Sequence, residues 1–204
     1  MEVKDRIIQK ANELFFRFGI KTVTMDDIAQ ELGVSKKTIY QHFEDKDEIV
    51  YQVMSQNMEQ DKCDFDDIMK CSSNIIESMV KMTNMMREQL SSINPSLFFD
   101  IKKFHPRSWK LWQDHKHNFV LGQIKKELQQ GIEEGFIRSE INIEILSLLR
   151  LEQIELGFDN QVFPPNKFNS IVEIQLTFLD NFVRGVLTQK GLELYEKSQI
   201  NKAL

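Results

Sequence analysis

The sequence predicts an all-α protein in two parts, an N-terminal three-helix domain with a helix-turn-helix and a larger helical domain. Apolar residues recur at steps of three and four along most of the 204 residues, which is the period of an amphipathic helix. Only eight Gly and four Pro interrupt the chain. No segment alternates apolar and polar residues as a half-buried strand does. We place the domain boundary between residues 46 and 47, so that the second domain spans residues 47–204.

The first helix is predicted to end at Phe18, because its apolar residues stop there and Gly19 follows. Glycine is the usual residue just beyond a helix end, where the backbone takes a positive φ. We expect Phe15 and Phe18 to lie in the core. The apolar side of this helix consists of Ile7, Ala11, Leu14, Phe15 and Phe18.

Three further helix starts in the first fifty residues are marked by capping residues. Thr24 is followed three positions later by Asp27, which predicts a capped second helix. Ser35 can cap a short third helix, and Asp45 can cap a long fourth one. The apolar residues of these helices are Ile28, Ala29 and Leu32, then Ile39, Tyr40 and Phe43, then Ile49, Val50, Val53 and Met54.

The remaining chain is predicted to continue as helices. Proline at the first helical position indicates two starts, at Pro95 and Pro106. Residues after Gly191 are expected to fray. The other predicted elements are a long helix from Arg107 to Glu134 that stops at Gly135, a helix capped by Asn142 that runs to about Asp159, a loop at residues 163–166, and a last strong helix over residues 167–189.

Composition and charge exclude several classes of protein. The net charge is -5, and residues 1–46 carry eight basic and eight acidic groups, so the whole chain does not attract nucleic acid by charge alone. Between Glu31 and Glu44 the only charged residues are Lys36 and Lys37, which can hold phosphate locally. With two cysteines, no apolar leader and no apolar run of about 20 residues, we expect a soluble cytoplasmic protein without a membrane segment.

The segment from Met25 to Phe43 has the pattern of a helix-turn-helix. Ala29 is small enough for two helices to cross closely, and Gly33, four positions later, tolerates the positive φ of the turn. Ile39, ten positions after Ala29, can anchor the second helix on the first. The opposite side of that helix is then free to enter the major groove of DNA.

Over a longer run, from Ile7 to Ile49, the sequence resembles the N-terminal domain of the TetR family of bacterial regulators. The resemblance is densest from Ile28 to Lys46, and it departs at Lys37, where many members have a small residue. The matching residues are Ala11, Leu14, Phe15, Gly19, Thr22, Val23, Thr24, Asp27, Ile28, Ala29, Leu32, Gly33, Val34, Ser35, Thr38, Tyr40, Phe43, Lys46 and Ile49.

This resemblance implies a sequence-specific DNA-binding transcription regulator, a repressor released from a near-palindromic operator by a small-molecule effector. It implies phosphate contacts from the hydroxyl, phenol and ammonium groups of Thr24, Ser35, Tyr40 and Lys46. The side chains that could face base edges are those of Lys36, Lys37, Thr38, Gln41 and His42. Lysine with guanine and glutamine with adenine would be the natural pairs, and Lys36 and Lys37 could alternatively be solvated charges.

The larger domain is expected to bind the effector and to form a homodimer. Methionine and aromatic side chains line adaptable cavities, although most of them are ordinary core residues. The candidate pocket residues are Met82, Met86, Phe98, Phe99, Trp109 and Trp112. The last two long predicted helices would form a four-helix bundle with a second copy, unless their apolar stripe over residues 171–187 packs only within its own subunit.

Other functions are weakly supported by the sequence. His115 and His117 would point about 200° apart on a helix and cannot share one metal ion, so no metal and no cofactor is expected. No Ser, Cys or acidic pair has a catalytic arrangement, so we do not expect an enzyme. The alternative to a regulator is an all-helical ligand-binding or interaction protein with a vestigial helix-turn-helix, which the acidic net charge alone favours.

Overall fold

The computed structural model describes residues 2–164, 166–168 and 170–200, and within these ranges it contains helices and no sheet strand. The predicted all-α class is therefore confirmed. A π-helical turn, Lys116–Val120, lies within the helical stretch that begins at Pro106. The helices are α1 Val3–Phe18, α2 Met25–Leu32, α3 Lys36–Tyr40, α4 Lys46–Lys70, α5 Ile75–Ser91, α6 Leu97–Phe104, α7 Pro106–His115, α8 Leu121–Glu133, α9 Ile143–Leu156, α10 Ile171–Val186 and α11 Gln189–Ile200.

The chain forms two compact units that do not coincide with the predicted boundary. The first unit comprises Met1–Asp61 and Ser92–Asp114, and the second comprises Lys62–Ser91 and His115–Leu204. The first unit therefore adds α6, most of α7 and the first part of α4 to the three N-terminal helices. The assignment of DNA contact to residues 1–46 concerns function and stays a prediction.

One core holds the first unit together. It combines the apolar sides of α1, α2 and α3 with Ile49, Val50 and Val53 of α4 and with Leu97 and Ile101 of α6. Burying such side chains stabilises the fold by about 1.5–3 kcal/mol each. The short helix-turn-helix thus gains its stability from helices that lie outside it.

Phe18 is the exception to the predicted core of α1, because its side chain is 44% exposed. Phe15, one turn earlier, is fully buried as predicted. Phe18 is the last residue of α1, and the guanidinium of Arg17 lies 5.0 Å from its ring centroid. Its helical spacing matches the buried stripe, but no neighbouring helix covers it.

The second unit has its own core, formed by residues of α5, α8, α9, α10 and α11. Asn142 caps α9 as predicted, since its Oδ1 accepts a hydrogen bond from the backbone N–H of Ile145 at 3.0 Å. Gly135 ends the long helical stretch with a φ of 73°. Helix starts and stops that depend on local capping chemistry were therefore correctly predicted here.

The predicted helix start at Pro95 is wrong, and the one at Pro106 is confirmed. Helix α6 begins at Leu97, two residues after Pro95. The cause lies in Asn94, whose Oδ1 accepts from the Ser96 N–H at 2.9 Å while its carbonyl accepts from the Leu97 N–H at 3.0 Å. These bonds form a turn around Pro95 before the helix starts.

The predicted last helix and the predicted fraying after Gly191 are wrong for residues up to 200, because α10 stops at Val186 and a further helix follows; residues 201–204 lie outside the described residues. Thr188 interrupts the helical run by donating its N–H to the carbonyl of Phe136 at 2.9 Å. Gly191 then passes so close to that carbonyl that a Cβ would collide with its oxygen. Instead of fraying, α11 buries Tyr195, whose hydroxyl lies 3.3 Å from Asp180 Oδ1. Of the predicted loop at 163–166, Pro165 lies outside the described residues.

No helix among the described residues is both long and apolar enough to cross a membrane.

Candidate DNA-binding site

Helix α2 begins at a reciprocal cap. The Thr24 hydroxyl accepts from the Asp27 N–H at 3.2 Å, and the Asp27 carboxylate accepts from the Thr24 N–H at 2.7 Å. Hydrogen bonds from the Thr24 side chain and then its backbone hold the pKa of Asp27 below its ordinary value. The carboxylate therefore stays ionised, and it fixes where α2 starts.

The turn between α2 and α3 has the conformation that the sequence predicts. Gly33 has a φ of 67° and a ψ of 30°, which is the left-handed region. The N–H of Val34 donates to the carbonyl of Ala29 at 3.0 Å and closes the turn. The Ile39 side chain of α3 is completely buried, so α3 is anchored on its inner side.

The outer side of α3 leaves most of the candidate DNA contacts accessible. Seven of the nine are exposed, namely Thr24, Ser35, Lys36, Lys37, Tyr40, Gln41 and His42. Thr38 is half-buried, and its N–H and hydroxyl both lie within hydrogen-bond distance of the Ser35 hydroxyl. Tyr40 is 49% exposed, although the sequence placed it with Ile39 and Phe43 among the apolar residues of this helix. The contacts of these residues with DNA stay predictions.

Lys36 already has an acidic partner within the helix-turn-helix. Its Nζ lies 2.9 Å from Asp26 Oδ2, and both side chains are exposed. The hydrogen bond to Asp26 raises the pKa of Lys36. An exposed pair of this kind adds little to stability, so the Lys36 ammonium can exchange Asp26 for another anion.

Lys46 is half-buried, unlike the other charged candidates. Its Nζ donates to the carbonyl of Ile20 and lies 5.9 Å from the Phe15 ring centroid. Burial lowers the pKa of Lys46 despite the nearby carboxylates of Asp100 and Asp27. Lys46 therefore ties the start of α4 to the loop that precedes α2, a structural role that sequence analysis did not predict.

Helices α6 and α7 contribute polar contacts to the first unit that no sequence motif indicated. The buried carboxylate of Asp100 accepts from the Lys21 N–H at 3.0 Å. His105 Nδ1 lies 2.6 Å from Asp47 Oδ1. These bonds attach α6 and its C-terminal neighbour to the α1–α2 loop and to the start of α4.

The six candidate pocket residues are divided between the two units. Phe98 and Trp112 pack edge to face in the first unit, with ring centroids 5.3 Å apart. Trp109 packs against the first core, and Phe99 is exposed. Met82 and Met86 are half-buried residues of α5 in the second unit. A pocket formed by these residues stays a prediction.

Two charged groups inside the second unit were missed by sequence analysis. Arg150 of α9 is only 6% exposed, and one of its terminal nitrogens and Glu127 Oε1 of α8 are buried without a hydrogen-bond partner. Burial raises the pKa of Glu127 to about 7, although the charge of Arg150 opposes the shift. Their positions in the sequence gave no sign that a Glu and an Arg would interact inside this unit.

Helix α3 is anchored through Ile39 and exposes polar side chains on its outer side. This arrangement defines a helix-turn-helix DNA-binding protein. Residues 7–53 match the family model described as bacterial regulatory proteins, tetR family. Over these residues the chain has the DNA-binding domain of TetR-family regulators, and it is a DNA-binding transcription regulator.

Two curated relatives are similar to the chain in sequence. The biofilm operon icaADBC HTH-type negative transcriptional regulator IcaR of Staphylococcus aureus (strain Newman) is 27% identical, over 73% of this chain and 98% of IcaR. The uncharacterized HTH-type transcriptional regulator YvaF of Bacillus subtilis is 30% identical, over 51% of this chain and 55% of YvaF.

Solved structures share the fold at low sequence identity. A TetR-family regulator from Agrobacterium tumefaciens superposes with a TM-score of 0.73 at 15% identity, covering 91% of this chain and 97% of that one. The regulator FadR from Bacillus subtilis, in complex with stearoyl-CoA, has a TM-score of 0.63 at 18% identity, covering 89% of this chain and 98% of FadR.

Proposed function

We propose that this protein is a dimeric repressor that binds a near-palindromic operator and leaves it when a small molecule binds. The observation that carries the proposal is the outer side of α3, where Lys36, Lys37 and Gln41 are exposed while Ile39 anchors the helix. Repression is also supported by IcaR, which is named as a negative regulator.

Dimerisation is supported by α9, which corresponds to the first of the two long helices proposed to pair. This helix exposes four large apolar side chains, those of Ile145, Leu148, Leu149 and Leu156. Four exposed apolar side chains on one helix are typical of a protein–protein contact and therefore support this proposal. A two-fold dimer would present two α3 helices to a two-fold operator.

An effector is supported by the structural relative FadR, which was solved with stearoyl-CoA bound. For this chain we propose an effector site in the domain after residue 46, with the six methionine and aromatic candidates as its first test positions. The effector can lower DNA affinity only by as much as it prefers the state that does not bind DNA.

The proposed function is tested by footprinting the region upstream of the protein's own gene. We expect a protected site with two related half-sites whose centres lie about one helical turn of DNA apart, or a multiple of it. A reporter fused to the same region should be more active when the gene for this protein is deleted. Protection no stronger than on unrelated DNA at the same salt concentration would instead favour a ligand-binding protein with a vestigial helix-turn-helix.

Removing the carboxylate that pairs with Lys36 is expected to strengthen DNA binding. The substitution Asp26→Asn leaves the Lys36 ammonium without its anionic partner and removes a negative charge beside the DNA-facing helix. We expect the Kd for the footprinted site to fall about threefold to fivefold, as measured by fluorescence anisotropy at fixed salt. Asp66→Asn, which removes an exposed carboxylate from α4, is the matched control. Equal Kd values for the two variants would contradict the prediction.

A further inference from the structure

The exposed apolar face of α9 has one charged residue at its centre. Glu152 lies one turn beyond Leu148 and Leu149 and one turn before Leu156, so helical spacing places it on the same side. Its side chain is 61% exposed. A free carboxylate at this position would oppose any contact that removes the face from water.

The charge of Glu152 is balanced from inside the second unit by Lys116. Lys116 is only 2% exposed, and its Nζ lies 3.0 Å from Glu152 Oε1 and 2.6 Å from Glu155 Oε2. Burial lowers the pKa of Lys116, but the hydrogen bonds to Glu155 and Glu152 outweigh it and leave the pKa raised. The lysine therefore remains a cation at neutral pH.

An irregular turn of the helix backbone places Lys116 beside Glu152. Lys116 is the first residue of the π-helical turn Lys116–Val120. A π turn inserts an extra residue into a helix and shifts the side chains on either side around the axis, and such turns are frequent at functional positions. The same turn contains Phe119, whose ring stacks on buried His115 at a centroid distance of 5.1 Å.

We propose that the Lys116–Glu152 ion pair makes the α9 face able to bind a second copy of this chain and sets the register of the two copies. The proposal rests on the proposed dimer and adds to it the residue that controls its strength. Lys116 approaches Glu152 from within its own subunit, so the four apolar side chains around Glu152 remain free for the partner.

A second copy fits this face better than other occupants. A two-fold interface brings the same face from each subunit together, which requires a surface that is apolar and does not repel itself. A lipid bilayer would reject the charge of Glu152 at the centre of the stripe, whereas a register-specific protein contact tolerates a neutralised polar group there. Shifting the two copies along α9 would place Glu152 against the partner's leucines.

The test compares dimer dissociation by sedimentation velocity for a set of variants of the full chain. Lys116→Met leaves Glu152 unbalanced, and we expect it to raise the dimer Kd at least about tenfold. Lys116→Arg keeps the cation and should stay within about threefold of the unsubstituted protein. The double variant Lys116→Met/Glu152→Gln removes both charges and should recover the dimer, whereas Lys116→Met/Glu155→Gln should not.

A second pair of variants keeps the test valid if Lys116→Met does not fold, because both substitute exposed side chains. Glu152→Lys places a second cation beside Lys116 and should also weaken the dimer at least about tenfold. Glu133→Lys makes the same charge change at an exposed position of α8 and should leave the dimer Kd within about threefold. Circular dichroism at the same concentrations monitors folding.

The possible outcomes separate this inference from the proposed function. A chain that is monomeric without any substitution would remove the proposed dimer itself. If the chain forms a stable dimer whose Kd changes neither with Lys116→Met nor with Glu152→Lys, the proposed dimer stands and the role of the ion pair is overturned. Recovery through Glu155→Gln in place of Glu152→Gln would also overturn it, because Lys116 would then act within its own subunit.

Discussion

The double substitution Lys36→Ala/Lys37→Ala is expected to lower the affinity for the operator at least about 100-fold. Both side chains are exposed on α3, whereas Ile39 of the same helix is fully buried. Each direct contact of a lysine with a base edge is worth about 1–3 kcal/mol, and each contact with phosphate adds to the release of counterions. Because neither side chain is buried, the substitution should leave the melting temperature nearly unchanged.

The measurement is a titration of the footprinted site at several salt concentrations, with an unrelated duplex as competitor. If the two lysines contact phosphate, the slope of log K against log salt should become shallower by about one for every phosphate that a lysine no longer neutralises. If they contact bases, the slope should change less and the preference for the operator should fall. The salt series therefore distinguishes phosphate contact from base contact, which the structure of the protein without DNA cannot do.

A matched control removes two adjacent lysines from the second unit. Lys125→Ala/Lys126→Ala makes the same change of net charge, and Lys125 is paired with Glu144 of α9. If the loss of affinity came only from the overall charge, the two double variants would bind DNA equally weakly. Full operator affinity in Lys36→Ala/Lys37→Ala would refute the docking of α3.

The three-helix domain was predictable because its signals are local. The Thr24–Asp27 cap, the Gly33 turn and the Ser35 cap each involve residues within a few positions of one another, and each took the expected geometry. The anchoring role of Ile39 followed from helical spacing within one short segment. Capping and turn chemistry act over four or five residues and can be read directly from the chain.

Apart from the helix start at Pro95, where the bonds of Asn94 to Ser96 and Leu97 are local, the failures involve partners that are distant in sequence. Helix α10 ends where Thr188 bonds to Phe136, and Tyr195 is ordered by the core of another part of the chain. The periodicity of Phe18 matched a buried stripe, but whether another helix covers it depends on packing. A single sequence records the amphipathic side of each helix and not the neighbour that meets it.

The candidate site shows the same division. The exposed residues of α3 could be predicted from the motif, since an exposed polar side needs only a local anchor. Lys46 is a proposed phosphate contact, but its Nζ also donates a hydrogen bond to the carbonyl of Ile20. That bond could not be predicted locally, because Ile20 lies 26 residues earlier in the chain. Lys116 and Arg150 are buried, and Glu127 is half-buried with one carboxylate oxygen enclosed, although charged residues of helices ordinarily face water.

The buried carboxyl of Glu127 is expected to make the stability of the protein fall as the pH rises. Its pKa is about 7 in the folded protein and 4.5 as the ordinary value, so the folded state holds the proton more tightly. The favourable contribution of the protonated carboxyl is complete below pH 4.5 and disappears as the pH rises through 7. Between about pH 5 and pH 8 we expect a loss of roughly 2–3 kcal/mol from this group.

The variant Glu127→Gln isolates this contribution, because an amide has nearly the same shape and does not titrate in this range. The unfolding free energies of both proteins are measured with urea from about pH 5 to pH 8 at one protein concentration, and their difference is plotted against pH. Glu133→Gln, an exposed substitution on the same helix, should give a flat difference. Arg150, whose burial lowers its pKa to about 10, stays charged throughout. A difference that stays flat from about pH 5 to pH 8 would contradict the prediction, because Glu127 would then be ionised in the folded state throughout this range and paired with Arg150.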